Sequence, residues 1–247
     1  MIDEDAGLKP AATFPLAAIV ATSSKIAGAG AIFTRKLVPV VIPTDSSGAI
    51  RKICVLGVDP AAAGATGYGV IELERGVARM LRYGALKMPA RVSYSARLCE
   101  IHRLIAALVQ EFSPDAVAVE SVFTALNMNT ALKLAEVRGV VLLAAALAGV
   151  PSRSYSPREV KSRIAGYGAA SKQQMQQMVG MQLGMRETPE PEDAADALAV
   201  ALCHAHAAVA EARVAVATGR RGGITAGIAA SAGMRSHTRA ARIVSGR

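Results

Sequence analysis

The stretch "KICVLGVDP" constrains the fold of this chain more than any other. Ile53 to Val58 runs apolar without a break, and Asp59 ends it. A strand with one wet face alternates polar and apolar residues. A strand apolar on both faces belongs in the middle of a sheet covered on both sides. Pro60 stops the run, so a carboxylate stands at the carboxyl end of a buried strand. Functional groups gather at such ends in α/β sheets.

The segments that follow supply the rest of a sheet. "TGYGVIELERGVARMLRYGALKM" reads as two strands joined at Arg75-Gly76, so the first three strands form an antiparallel meander. "VSYSARLCEIHRLIAALVQEFSPD" then reads as a helix. Ser93 or Ser95 caps it, Leu98, Ile101, Leu104, Ile105 and Leu108 recur at helical spacing, and Pro114 ends it. "AVAVE" is a second short apolar strand that also closes on an acid, Glu120. A helix follows over 129–149, kept from being a membrane span by Lys133, Glu136 and Arg138. "VPSRSYSP" is another strand. Ser156 with Glu159, and Ser171 with Gln174, mark two capping boxes. A final helix opens at "EDAAD". Strands first and then alternating helix and strand predict an α/β sheet with an antiparallel edge hairpin.

Charge narrows the partner. The net charge is +9, which points to a polyanion: nucleic acid, or an anionic membrane surface. No acid occurs after Glu211, and residues 213–247 are rich in Arg and Gly, so they read as a flexible basic tail. That tail is either a passive terminus or a phosphate-binding arm. Residues 1–51 are apolar and rich in small residues but broken by Pro15, Ser23, Ser24 and Lys25. They offer no uninterrupted membrane length, and Asp3, Glu4 and Asp5 argue against a signal peptide. They read as a poorly ordered extension, with the folded domain at 52–212 and no membrane partner. Cys54, Cys99 and Cys203 form no CxxC pair, which fits a reducing, cytoplasmic compartment. His204 and His206 are two apart on a helix and point in different directions, so with Cys203 they make a poor metal set.

The acids make the better one. Asp59 and Glu120 each end a core strand. If those strands are parallel neighbours, the two carboxylates converge. Asp193 and Asp196 lie one turn apart and share a helix face. Each acid also has an ordinary reading: a turn former at Asp59, a strand end at Glu120, a cap and a dipole partner at Asp193 and Asp196. Four carboxylates in one place repel, by about 4 kcal/mol for a pair of charges at 4 Å and an effective dielectric near 20. They therefore need a hard cation or shared protons, and Mg²⁺ or Mn²⁺ suits all-oxygen ligands. A basic surface around such a nest is the pattern of a nuclease.

At these residues a resemblance emerges. "LGVDP", "TGYGVIE", "AVESVFTALNMNTALKLAEVRGV", "REVKSRIAGYGAASKQQM" and "DAADALAVALCHAH" resemble, in order, the blocks of the RuvC Holliday junction resolvases over about residues 52–208. The resemblance implies an RNase H-like fold, a mixed five-stranded sheet flanked by helices. It implies a homodimer that nicks four-way DNA junctions symmetrically, with two Mg²⁺ ions per site and a RuvA–RuvB branch-migration complex as partner. It places the metal ligands at Asp59, Glu120, Asp193 and Asp196. Phe123 matches an aromatic near the junction crossover, Lys161 and Lys172 match lysines near the scissile phosphate, and helix 129–149 matches the dimer helix. Two departures adjoin Asp59. Ala61 stands where the family usually has Gly, and the turn "AAAGA" is one residue longer, with Gly64 available for a tight conformation. Two other readings stay open: a different RNase H-like nuclease, for instance one cutting RNA–DNA hybrids, and a junction-binding protein that does not cut. An actin-like ATPase is disfavoured by length and by the lack of a G-x-x-x-x-G-K-[ST] loop.

Overall fold

A computed structural model describes residues 50, 52–62, 64–121 and 128–218. The expected N-terminal extension up to residue 49, Phe123 and the tail beyond 218 lie outside the described residues. Within them, five strands form one mixed sheet in the order β3-β2-β1-β4-β5. The strands are β1 (Lys52–Asp59), β2 (Thr66–Glu74), β3 (Val77–Leu86), β4 (Ala116–Glu120) and β5 (Ser152–Tyr155). β1, β2 and β3 pair antiparallel, and β4 and β5 continue in parallel from β1. The doubly apolar run is thus the central strand, as its pattern requires. Arg75 and Gly76 both take positive φ, at 50° and 84°, the twist of a tight hairpin turn.

Two layers cover the sheet, and the two-residue period of β1 assigns its side chains between them. Ile53 and Val55 face one way with Ile71, Leu73 and Ala118, onto α5 (Glu192–Ala217). Cys54, Leu56 and Val58 face the other way with Val70, Val117 and Val119, onto α1 (Tyr94–Phe112) and α2 (Met128–Leu147). Ile53, Leu56, Val58, Val117 and Val119 are fully buried, each contributing roughly 1.5–3 kcal/mol of hydrophobic stabilisation. α1 starts where expected, with the Ser93 hydroxyl accepting from the Ala96 amide, and it buries Ile101, Ile105 and Leu108.

Two short helices pack beside α5: α3 (Pro157–Ala165) and α4 (Lys172–Gln182). Both expected capping boxes form, Ser156 with Glu159 and Ser171 with Gln174. α5 is the one described helix long and apolar enough to cross a membrane by length and composition, but it is the core helix of this domain. It runs past residue 212, the expected limit of the domain. Arg213 to Ala217 are its last residues, with Ala212 buried just before them. All three cysteines are free.

Candidate active site

The sheet register brings the first two acids together. β1 and β4 are parallel, with Val58 opposite Val119, so Asp59 and Glu120 are the next residues on adjacent strands. Asp59 continues the odd-numbered face of β1 and Glu120 the face of Ala118, and both of these faces lie under α5.

α5 brings the other two because glycines clear its path. Gly67 is the register partner of Asp59 on β2. A methyl group on Gly67 would overlap the carbonyl of Asp193 in the first turn of α5. A methyl on Gly57 would collide with the backbone at Ala197 and lie 2.7 Å from the Ala201 amide nitrogen. The helix therefore rests on bare backbone, which only glycine permits. The sequence carries this signal as small residues at Gly57, Gly67 and Gly69 in otherwise β-forming strands, but nothing local in it points to a helix seated there.

The capping explanation of the last two acids fails. The residue before the first turn of α5 is Pro191, which has no side chain able to cap. Asp193 and Asp196 lie inside the helix and turn toward the sheet end, both half-buried. Asp193 does stand in the first turn, where the helix dipole favours an anion.

Burial and mutual repulsion dominate the electrostatics. Burial pushes the Asp59 carboxyl far above the usual carboxylate range, and Glu120, Asp196 and Asp193 push it further. Burial also raises Glu120, against the pull of Lys161 and Lys172. Asp196 is raised by burial and held back by Lys172. Asp59 and Glu120 are close enough to hydrogen bond, which two carboxyl groups achieve by sharing a proton. Asp196 instead lies 3.4 Å from the Lys172 ammonium. Among the described residues no three acid, His or Cys side chains stand at ligand distance from one point. The donor chemistry nevertheless fits a hard cation: oxygens only, crowded, and partly neutralised by a proton and a lysine that a cation would displace.

Glu120 and Asp196 share a cleft of about 160 Å³ with Lys161 and Lys172, floored by Val160, Met175 and Ala199. The structure thus brings together six of the seven residues singled out in the sequence, and Phe123 is the one outside the described residues. Glu192, the exposed first residue of α5, pairs with Lys172 at 2.8 Å. In the lengthened turn after Asp59, Gly64 does not adopt positive φ, contrary to expectation. Its carbonyl accepts from Arg97 Nη1 at 3.2 Å, so a side chain from α1 tethers the turn at Gly64. His204 is buried against the Tyr155 hydroxyl, which lies 2.8 Å from its Nδ1, far from any metal role.

Comparison with known proteins places this geometry in a family. A family model described as crossover junction endodeoxyribonuclease RuvC matches residues 55–204. The crossover junction endodeoxyribonuclease RuvC of Syntrophomonas wolfei is 48% identical over 146 residues, covering 59% of this chain and 84% of that protein. Its namesake from Chloroflexus aggregans is 46% identical over 145 residues, covering 59% and 88%. The solved structure of Thermus thermophilus RuvC gives a TM-score of 0.58 at 38% identity, over 62% of this chain and 93% of that one. T. thermophilus RuvC in complex with a Holliday junction substrate gives 0.57 at 36% identity over the same shares.

Proposed function

This chain belongs to the RuvC family of crossover junction endodeoxyribonucleases, and on that premise we propose that Asp59, Glu120, Asp193 and Asp196 form its cleavage centre. The chain is a Holliday junction resolvase, a metal-dependent endodeoxyribonuclease acting in recombination and repair. The observation that carries the assignment of the centre is the convergence of Asp59 and Glu120 at adjacent parallel strand ends, with α5 seated over them on Gly67.

In this reading the four acids would hold two Mg²⁺ ions, with Mn²⁺ as a substitute, and Asp59 would be the central ligand. Bound there, the pair supplies activation of a water and stabilisation of the leaving oxygen in phosphodiester hydrolysis. The protein's own work is preparation. Asp59 and Glu120 would both have to be ionised to hold metal, so the proton that their crowding retains would be lost on loading. Asp196 releases Lys172, which becomes free to meet a backbone phosphate. Lys161, on the same cleft, neutralises a second phosphate oxygen. The closed packing of α5 on β1 and β2 fixes the spacing of the acids before substrate binds. Phe123 stacks on an unpaired base at the crossover.

We further propose that residues 52–212 with the last turns of α5 are the nuclease domain, working as a cytoplasmic homodimer with RuvA and RuvB. The dimer is supported by α2, where Met128, Leu132, Leu143 and Leu147 are at least half exposed on a helix whose other face is core. A C₂ dimer places two centres against the two like strands of a four-way junction. Cleavage of a four-way junction set beside an RNA–DNA hybrid tests the reading. Symmetric nicking of the junction with the hybrid intact is expected, and preference for the hybrid would transfer the site to another chemistry.

A further inference from the structure

Lys172 is the first residue of α4, and its side chain reaches α5. Its ammonium lies 2.8 Å from Glu192 Oε2 and 3.4 Å from Asp196 Oδ2. Asp196 lines the cleft; Glu192 does not. The lysine is thus held between a carboxylate that lines the cleft and a more exposed one that does not. Both outer partners are largely open to water, with side-chain exposures of 51% for Lys172 and 66% for Glu192. An exposed pair of this kind contributes little to stability. Its effect falls instead on the availability of the lysine.

We infer that Glu192 is a positioning residue that occupies the solvent-facing side of Lys172, the side from which a backbone phosphate arrives, and yields it on DNA binding. The inference rests on the reading that this cleft takes junction DNA. A carboxylate and a phosphodiester are both single negative charges with oxygen acceptors, so one replaces the other at an ammonium without new geometry. While Glu192 is in place the lysine bridges the two carboxylates, closer to Glu192 than to Asp196. Each phosphate contact made by Lys172 is then an exchange of one ion pair for another, and not a new pair.

The test is a double-mutant cycle read by fluorescence anisotropy on a synthetic four-way junction in EDTA, with no cleavage involved. Glu192→Gln keeps the shape and removes the charge. It should tighten junction binding about three- to fivefold, the range of one exposed ion pair. In a Lys172→Gln background the same change should move affinity less than about twofold, because there is no lysine to release. Glu192→Asp, one methylene shorter, should fall between. Equal tightening in both backgrounds would reduce Glu192 to plain repulsion of DNA and overturn the inference. Weaker binding by Glu192→Gln would overturn it as well. A wild type that fails to hold the junction would overturn the functional reading itself, whereas firm wild-type binding with a flat cycle overturns only the role of Glu192.

Discussion

Gly67→Ala is the sharpest test of how the site is assembled. The added methyl would overlap the carbonyl of Asp193, and the Ala194 amide nitrogen would lie 3.1 Å away. These are backbone atoms in the first turn of α5, so no rotamer relieves the clash. To restore ordinary contact the helix start must lift by about 1.5 Å, or the β2 strand must sink into a packed core. Overpacking of this kind costs about 1–3 kcal/mol, which lowers Tm by about 2–4 °C for each kcal/mol in a domain of this size. The catalytic effect should be larger. Gly67 is the register partner of Asp59, so lifting α5 there moves Asp193 and Asp196 away from Asp59. A misplacement of about 1 Å at a reacting centre can lower the rate about 100-fold. Gly180→Ala on α4 is the matched control. Its new methyl would have 3.6 Å to its nearest neighbour, and alanine in a helix interior is favoured over glycine by about 0.5–1 kcal/mol. Junction cleavage and thermal melts should show Gly67→Ala slow and less stable, with Gly180→Ala at least as stable as wild type. A Gly67→Ala protein that cuts and melts like wild type would refute the glycine seat.

Two further outcomes follow from the same structure. Burial pushes the His204 imidazole down from 6.5 to about 4, so the unfolded chain binds more protons between those values; wild-type stability should fall as pH drops through that window, and His204→Gln should flatten the slope in pH-dependent melts. Deleting residues 219–247 removes six arginines and no acid, so junction binding should weaken and the salt dependence of log K should flatten by about 0.9 per lost phosphate contact; an unchanged slope would leave the tail passive.

Much of this was legible in the sequence because hydrophobic pattern encodes it directly. The unbroken run Ile53–Val58 marked the central strand, and two such runs ending in acids marked Asp59 and Glu120 as candidates, but that the two strands are parallel neighbours is a matter of register. The capping boxes at Ser156 and Ser171 marked two helix starts to the residue, since capping is local chemistry. What was missed depends on contacts distant along the chain. Gly67 reads as a mere strand weakener until a helix more than a hundred residues away is laid on it. Glu192 reads as solvated until α4 brings Lys172 beside it. Gly64 was expected to make its turn by conformation, but Arg97 on α1 braces that turn by a hydrogen bond. The domain limit at 212 follows where acids give way to arginines, yet α5 runs on to Ala217, because charge composition does not report where backbone hydrogen bonding stops.

The central claim is that Asp59 anchors a metal-dependent cleavage centre and that junction binding does not require its charge. Wild type and Asp59→Asn, titrated against a four-way junction without divalent ions and then assayed for nicking with Mg²⁺, test it most directly. The account predicts that both proteins bind the junction alike and that only wild type nicks it, symmetrically and only with the metal. Comparable nicking by Asp59→Asn, or wild-type nicking in EDTA, would contradict it.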